Sequence, residues 1–91
     1  MQFEYNPNKS HKNKEKYGVD FDQAQALWQD SRRIKIQART TDEERFLVIG
    51  KIGIKHWSTV ITYLADKIRI ISVRRARKKE VDLYESWRIR S

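Results

Sequence analysis

The segment from residue 67 to residue 80, KIRIISVRRARKKE, constrains the fold of this chain more than any other part of it. Seven of its fourteen side chains are basic, and they surround a short apolar run of Ile68, Ile70, Ile71 and Val73. Such a run predicts a β-strand that is buried on at least one face and leads into a basic helix start. Because a strand is rigid, it fixes the positions of its cations, which is what binding to a phosphate backbone requires.

Length and composition predict one small domain without covalent cross-links. The chain has 91 residues and no cysteine, so neither disulfides nor thiolate metal sites contribute to its stability. No apolar run reaches the roughly 18 residues that span a bilayer, and the N-terminus lacks the apolar segment of a signal peptide. We therefore expect a single domain over residues 1–91 that is soluble, located in the cytoplasm and not associated with a membrane.

The charge of the chain and its distribution indicate an anionic partner. The formal net charge is +8, which favours nucleic acid, an anionic membrane or an acidic protein as the partner. Basic residues concentrate in residues 9–16, 32–39 and 67–79, whereas many acidic residues lie apart in 20–30 and 42–44. This separation favours a cationic binding surface over a domain that is merely basic and soluble.

Local patterns predict an α+β fold with one sheet. Asn6-Pro7 begins a helix that ends at Gly18, and Asp20 with Gln23 forms a capping box for a second helix that ends near residue 30. Period-two alternation then predicts an antiparallel meander of four strands, and the chain closes on a helix from about residue 76 to residue 87. The predicted strands begin at residue 32 and continue over 45–52, 56–64 and 67–74, with a polar loop over 39–44 and a possible short edge strand over 3–5.

Helical periodicity and the glycines supply further predictions about packing. Gly50 and Gly53 mark a bulge or turn near the end of a strand. The apolar side chains of the second helix share one face, as do those of the last helix, which suits core packing. These two predicted core faces consist of Phe21, Ala24, Leu27 and Trp28, and of Ala76, Leu83, Tyr84 and Trp87.

Three segments of the chain resemble the toxins of the BrnT type. The first is Phe3-Glu4-Tyr5-Asn6 followed by Lys9, Asn13, Lys16, Gly18-Val19 and Phe21. The second is Glu44-Arg45-Phe46 with Ile49-Gly50. The third and most specific is Thr62-Tyr63 followed by Ile68-Arg69-Ile70-Ile71-Ser72-Val73-Arg74, with Ala76, Glu80 and Tyr84. The resemblance covers nearly the whole chain, and it implies a RelE-like fold with N-terminal helices, an antiparallel sheet of about four strands and a C-terminal helix.

The resemblance also implies a function. Toxins of this type belong to type II toxin–antitoxin pairs and stop translation by cutting RNA. A small DNA-binding antitoxin from the adjacent gene neutralises the toxin and represses the shared operon, so operator DNA is contacted only through the antitoxin. One position departs from the family pattern, because this chain has Lys16-Tyr17-Gly18 where its relatives usually carry Lys-His-Gly.

Metal-independent RNA cleavage requires a base for the 2′-hydroxyl, an acid for the leaving oxygen and cations for the extra negative charge. Arginine suits the third role because its guanidinium donates to two phosphate oxygens and stays charged. Arg69 and Arg74 project from the last strand, on opposite faces unless a bulge intervenes, and Arg77 follows at the helix start. Arg69 has the alternative of an ion pair with Glu44 or Glu80. Arg74, at the strand's end, is expected to be exposed and functional.

The candidates for proton transfer are fewer, and the sequence does not assign acid and base among them. His11 has a suitable pKa but lies on a polar helix, where a histidine is often only solvated. Lys16 or Lys14 would serve if neighbouring cations lower its pKa. Glu44 is a possible base that is equally suited to an ion pair, and His56 is expected to be structural. Hydroxyls or stacking faces for bases come from three tyrosines, Tyr17, Tyr63 and Tyr84, the last expected in the core.

The predicted reaction needs no cofactor or metal ion. The chain has only two histidines, and the acidic run at residues 42–44 reads as a charged loop, not as a metal cage. The expected enzyme is therefore a metal-independent endoribonuclease with an RNA substrate. Side chains expected to contact that RNA are Lys14, Arg45, Tyr63, Arg75, Arg77 and Lys78.

Two other classes of protein fit the charge as well. One is a nucleic-acid-binding module without catalysis, although no helix-turn-helix or RNP pattern is present. The other is a protein-interaction domain whose basic surface holds an acidic partner. Incubation with total RNA separates these from a nuclease, because a binding module retards RNA but leaves it whole.

Overall fold

The computed structural model describes residues 2–38 and 43–90, and in the last helix it describes side chains only as far as residue 86. Most of the predicted polar loop, residues 39–42, and the side chain of Trp87 therefore lie outside the described residues. The helices and strands lie close to the predicted bounds. In chain order they are β1 (Gln2–Glu4), α1 (Pro7–Tyr17), α2 (Phe21–Ala24), a 3₁₀ helix (Gln25–Gln29), β2 (Ile34–Ala38), β3 (Arg45–Ile52), β4 (Lys55–Leu64), β5 (Lys67–Arg75) and α3 (Lys78–Arg90).

Side-chain caps fix both N-terminal helices where the sequence predicts them. The side chain of Asn6 accepts hydrogen bonds from two backbone N–H groups of the first turn of α1, at 2.8 and 3.3 Å. Gly18 ends this helix with a φ of 85°, a conformation that glycine adopts without strain. Asp20 and Gln23 form the predicted capping box with bonds of 2.7 and 3.0 Å. The second helix is α-helical for only four residues before it tightens into the 3₁₀ helix.

The sheet has five strands in the described residues, in the order β1-β5-β4-β3-β2. Strands β2 to β5 form the predicted antiparallel meander. The prediction of a purely antiparallel sheet of about four strands is wrong in one respect, because β1 pairs with β5 in parallel and places Phe3 opposite Ile68. A strand of three residues carries too little alternation to reveal its partner or its direction, so tertiary packing decides both.

A β-bulge interrupts the pairing of β5 with β4 at one position. Val60 pairs with Ser72, whereas the next residue, Ile61, pairs with Ile70. Ile71 is therefore an extra residue in β5 and has no partner in β4. A bulge of this kind shifts the alternation of side chains along the strand by one position.

The bulge brings the two arginines of β5 to the same face of the sheet. Arg69 pairs with Thr62, and Arg74 pairs with Ser58. Thr62 and Ser58 are four residues apart in β4 and point to the same face, and paired residues share a face. Simple alternation predicts opposite faces for Arg69 and Arg74, and the bulge reverses that prediction.

The main core lies on the other face of the sheet, under α1, α2 and the 3₁₀ helix. Phe21 and Leu27 from these helices pack against Ile61, Ile70 and Val73, and all five side chains are at most 2% exposed. Burial of side chains of this size stabilises the fold by about 1.5–3 kcal/mol each. The predicted core face of the second helix is thus confirmed, with Trp28 half-buried against the ring of Phe3 at a centroid distance of 4.9 Å.

Helix α3 covers part of the opposite face. Tyr84 is 2% exposed, as its periodicity predicts, and the sheet residues Ile49 and Ser58 are also buried. Leu83, predicted to share the buried face, is 37% exposed. The prediction for Leu83 is wrong because α3 contacts the sheet chiefly through polar side chains, which leaves a narrower apolar stripe than helical spacing suggests.

The two glycines near the end of β3 have different roles. Gly53 has a φ of 64° and lies in the turn between β3 and β4, as predicted. Gly50 lies inside β3, where a Cβ atom would approach Cδ2 of Leu27 to 3.0 Å. Close packing of a helix against the strand therefore explains Gly50, in place of the predicted bulge or turn.

Candidate functional site

Both arginines on the sheet face form ion pairs with carboxylates. Nη2 of Arg69 lies 2.8 Å from Oε1 of Glu4. Arg74 donates through Nη1 and Nη2 to the two carboxylate oxygens of Glu80, each at 2.8 Å. The predicted ion pair of Arg69 exists, but its partner is neither Glu44 nor Glu80. The prediction that Arg74 is exposed is wrong, because its side chain is only 24% exposed beneath the start of α3.

Glu80 lies at the centre of a cluster that it forms with Arg74, Ser58 and Arg77. It is the third residue of α3 and accepts hydrogen bonds from the Ser58 hydroxyl at 2.8 Å and from the Arg77 backbone N–H at 2.9 Å. The hydrogen bonds from Arg74 outweigh the effect of burial and lower the pKa of Glu80 to about 2. The same pair raises the pKa of Arg74 above its ordinary value. Both groups are therefore charged at neutral pH, and the anion also offsets the cations at the helix N-terminus.

The end of α1 approaches the same cluster. Tyr17 contributes electrostatically to the raised pKa of Arg74, after the larger effect of Glu80. Tyr17 is 38% exposed, and Nζ of Lys16 lies 5.2 Å from the centroid of its ring. The end of α1 therefore lies near the junction of β5 and α3, although it is far from that junction in the sequence.

The other predicted catalytic residues lie elsewhere. The backbone carbonyl of Glu44 accepts a hydrogen bond of 2.7 Å from Thr62, the residue opposite Arg69. Glu44 and Arg69 therefore lie on either side of Thr62 in β4, at the end of the sheet away from Arg74. His11 lies on the outer side of α1, where Nε2 is 3.3 Å from Oε1 of Glu15 and the histidine side chain is 77% exposed. Of the five predicted catalytic residues, Lys16 is the one that adjoins Tyr17, which acts electrostatically on Arg74.

The predicted RNA-binding residues form two groups and one isolated member. Arg75, Arg77 and Lys78 follow Arg74 in the chain and are exposed. Tyr63 and Arg45 lie with Glu44 at the other end of the sheet. There, Nζ of Lys35 is 3.1 Å from the Tyr63 hydroxyl and 5.0 Å from the centroid of the Phe46 ring. Lys14 points toward α2 and donates to Gln23 at 2.8 Å.

Polar contacts that sequence reasoning missed hold α3 on the sheet. Nε2 of His56 lies 2.9 Å from Oε2 of Glu85, and the ring of Tyr84 packs edge-on against the imidazole. The Tyr84 hydroxyl donates to Asp30 at 2.7 Å. Burial raises the pKa of Asp30, but the hydrogen bond from Tyr84 and two backbone hydrogen bonds outweigh that effect, so the pKa is lowered overall. The contact between His56 and Glu85 agrees with the structural role predicted for this histidine.

Ser58 and Glu80 were not among the predicted site residues. Nothing in the local pattern marks Ser58, since a serine in a buried strand is unremarkable until its partner is known. Glu80 carried a signal, because it lies six residues after Arg74 at the third position of a helix, where a carboxylate reaches back to the start of that helix. The spacing alone did not distinguish Arg74 from Arg69 as its partner.

The described residues, 2–38 and 43–90, contain neither a cluster of metal ligands nor a membrane-spanning helix. Among them, no three His, Cys, Asp or Glu side chains form a group that could hold a metal ion. None of the helices in this part of the chain has the length and apolar character needed to cross a membrane.

Comparison with known proteins identifies the family. The model of a family described as the ribonuclease toxin BrnT of type II toxin–antitoxin systems matches residues 5–80 of this chain. No curated protein matches the sequence. The matched region includes α1, the whole sheet from β2 to β5 and the Arg74–Glu80 pair. The chain therefore belongs to the BrnT family of ribonuclease toxins from type II toxin–antitoxin systems.

Proposed function

We propose that this chain inhibits translation by cutting RNA, without a metal ion, at a phosphate bound by Arg74. The observation that carries the proposal is the two-pronged pair between Arg74 and Glu80, with both N–O distances at 2.8 Å. A guanidinium that already holds two carboxylate oxygens in its plane has the geometry to hold two phosphate oxygens. Family membership supports ribonuclease activity in general.

In the proposed reaction, the RNA phosphate replaces Glu80 on Arg74. Glu80 owes its low pKa chiefly to hydrogen bonds from Arg74. When the phosphate takes those bonds, the pKa of Glu80 rises and the carboxylate becomes a better base. Glu80 then accepts the proton of the 2′-hydroxyl while Arg74 stabilises the extra negative charge at phosphorus.

Lys16 is the proposed acid of the same step. It lies at the end of α1 beside Tyr17, which is close enough to Arg74 to contribute to the raised pKa of that arginine. The 2′-oxygen forms a bond to phosphorus, the bond from phosphorus to the 5′-oxygen breaks, and the Lys16 ammonium gives its proton to that oxygen. The products are a 2′,3′-cyclic phosphate and a free 5′-hydroxyl.

The other predicted site residues enter the proposal as a wider RNA surface. Arg75, Arg77 and Lys78 adjoin Arg74 and are exposed, so we propose that they bind phosphates next to the cut. The second group, around the Tyr63 ring, offers a stacking face for a base at a distance from the cut. The remaining predicted contacts with RNA or with the reacting groups are Lys14, Arg45, Arg69, Glu44 and His11, and their roles stay predictions.

Family membership implies a cognate antitoxin as partner. We propose that it is a small DNA-binding protein from the adjacent gene, that it covers the cationic cluster at Arg74, and that it alone contacts operator DNA. The toxin would act in the cytoplasm, where messenger RNA is translated.

The test is cleavage of total RNA by the purified protein in the presence of EDTA. We expect cleavage by the unaltered protein and a loss of about 100-fold or more in Arg74→Ala, since removal of one charge-stabilising donor typically costs that much. Arg74→Lys keeps the charge without the two-pronged geometry, so its cleavage activity is expected to lie between those of the unaltered protein and Arg74→Ala. Arg32→Ala, which removes an exposed arginine from the turn before β2, is the matched control.

Three outcomes would contradict the proposal in different ways. A folded Arg74→Ala protein that still cuts RNA would exclude Arg74 as the phosphate ligand. Loss of cleavage in EDTA would exclude the metal-independent reaction. RNA that is retarded in a gel but stays whole would favour the non-catalytic binding module.

A further inference from the structure

A groove runs between α1 and β5, and the first residue of α2, Phe21, lines one end of it. Two adjoining hollows, of 360 and 230 Å³, form it and meet at Lys9 and Ile71. The first begins at the Arg69–Glu4 ion pair, and the second ends at Lys16 and Tyr17 near the Arg74 cluster. We call this feature the lysine groove and define it by Lys9, Lys12, Lys16, Tyr17 and Ile71.

The bulge in β5 shapes the floor of the lysine groove. Ile71, the extra residue of β5, lines both hollows. The backbone N–H of Val73 donates at 3.2 Å to the side chain of Asn13, which is buried on α1 and also donates at 2.7 Å to the carbonyl of Val19. Asn13 thus fixes the helix along the edge of β5 beyond the three residues that pair with β1. The groove is therefore rigid on both sides.

The cations of the groove lie on one face of α1, and no described carboxylate forms an ion pair with them. Lys9, Lys12 and Lys16 are spaced at i, i+3 and i+7, so their side chains form a row. Within the described residues, no carboxylate lies within ion-pair distance of any of the three. Like charges at this spacing destabilise a helix by a few tenths of a kcal/mol per pair. The cost is local, and an anion that binds along the row removes it.

The other polar side chains on α1 contrast with this row. Lys14 donates to Gln23, and His11 lies beside Glu15. The groove also differs from the Arg69 site at its far end, where Glu4 already neutralises the guanidinium. Only the lysine row combines unpaired cations with a hollow that leads to the proposed site of cleavage, among the residues that the structure describes.

We propose that the lysine groove binds the sugar–phosphate backbone of single-stranded RNA on one side of the cut and leads it to Arg74. This inference rests on the proposed function. Positively charged grooves that follow the backbone, combined with aromatic faces for bases, are the general mode of single-strand binding. The ring of Tyr17 supplies such a face where the groove ends. The hollows are too small for a duplex, and a row of three ammonium groups offers successive positive charges to successive phosphates of one strand.

The test compares two double variants that each remove two positive charges. Lys9→Gln/Lys12→Gln alters the groove but leaves Lys16 and Arg74 intact. Lys55→Gln/Lys67→Gln alters exposed lysines at the first residues of β4 and β5 and is the matched control. Glutamine has a helix propensity close to that of lysine, so α1 is expected to remain folded, which circular dichroism checks. The probe is a short single-stranded 2′-O-methyl RNA, which lacks the free 2′-hydroxyl and stays whole while its binding is measured.

We expect the groove variant to bind this RNA about tenfold more weakly at physiological salt and the control to change much less. The slope of log affinity against log salt should decrease in magnitude by about 1.4, since each phosphate contact to a single strand contributes about 0.7. Equal losses in both variants would show that only net charge matters and would overturn the proposal. Unchanged binding by the groove variant would also overturn it.

Two further measurements separate this inference from antitoxin binding by the groove and from the proposed function. If the groove variant keeps its affinity for RNA but loses its affinity for the purified antitoxin, the groove belongs to the antitoxin and the inference fails. The proposed function fails separately, if the unaltered protein binds ordinary RNA of the same sequence but does not cut it. Binding and cleavage are thus measured on different RNAs, and neither result depends on the other.

Discussion

Arg74 and Glu80 face each other through two hydrogen bonds of equal length, 2.8 Å, that join the end of β5 to the first turn of α3. The pair connects a strand of the central sheet to a helix that otherwise rests on it largely through polar contacts. It therefore has two consequences, one for stability and one for catalysis. The consequence for stability is testable without RNA.

Acid should weaken the fold through Glu80. Its pKa is lowered from 4.5 to about 2 in the folded chain, so its contribution to stability is complete above the unfolded value and is lost as pH falls from 4.5 toward 2. The full shift corresponds to about 3 kcal/mol, and solvent screening of this partly exposed pair reduces it to about 1–2 kcal/mol. Urea unfolding at pH 7, 4 and 3 measures the loss. Glu80→Gln should be less stable at pH 7 and show a flatter pH dependence, and an unchanged pH dependence in that variant would contradict the assignment.

Tyr17→His should introduce a new ionisation into the cleavage reaction. Tyr17 is close enough to Arg74 to contribute to its raised pKa, and it is the position at which the family resemblance predicts histidine. An imidazole titrates at about pH 6.5 and is able to transfer protons at neutral pH, unlike a tyrosine hydroxyl. A pH–rate profile of the variant should therefore show an inflection near that value that the unaltered protein lacks. Tyr17→Phe is the control, and identical profiles for Tyr17→His and Tyr17→Phe would place the residue outside the reaction.

Thr59→Val should stabilise the protein by about 1 kcal/mol, because it removes a buried hydroxyl that has no hydrogen-bond partner. Among the described residues, Oγ1 of Thr59 has no hydrogen-bond partner, and its side chain is fully buried in β4. Thr62→Val is the matched control in the same strand, since its hydroxyl donates to the carbonyl of Glu44 at 2.7 Å. Chemical denaturation should show opposite signs for the two variants. Destabilisation by both would indicate that shape, not hydrogen bonding, decides the outcome at Thr59.

Gly50→Ala should destabilise the fold by about 1–3 kcal/mol, the range typical of overpacking in a core. The added methyl group would lie 3.0 Å from Cδ2 of Leu27 and 3.3 Å from Cβ of Arg33. Leu27→Val shortens the side chain that collides, so the double variant should lose less stability than the sum of the two single variants. Strict additivity in thermal or urea unfolding would show that the contact with Leu27 is not the cause.

The N-terminal helices and the antiparallel meander were predictable because each depends on local chemistry. Asn6 and the capping box at Asp20 satisfy backbone groups within a few residues of themselves. The strands β3 and β5 are marked by dense β-branched residues. β1 was harder, because its three residues pair with a strand more than sixty positions away and only the finished sheet specifies that pairing.

The candidate site was predictable in part. The run from residue 67 to residue 80 pointed to Arg74, and the family resemblance pointed to the toxin class. The sequence could not indicate that Ser58 and Glu80 would meet Arg74, because their meeting requires β4, β5 and α3 to be in register. It also could not indicate that the end of α1 would lie near this cluster.

The sequence by itself determined the class of fold, the cationic character of the surface and the family, because periodicity, charge and motif spacing are properties of the chain. Only the tertiary structure decided which carboxylate each arginine holds and on which face it lies. The physical reason is the single extra residue in β5: Ile71 shifts the alternation and turns Arg69 and Arg74 to the same face. Whether a strand contains such a bulge depends on packing against α1 and β4, which no local pattern records.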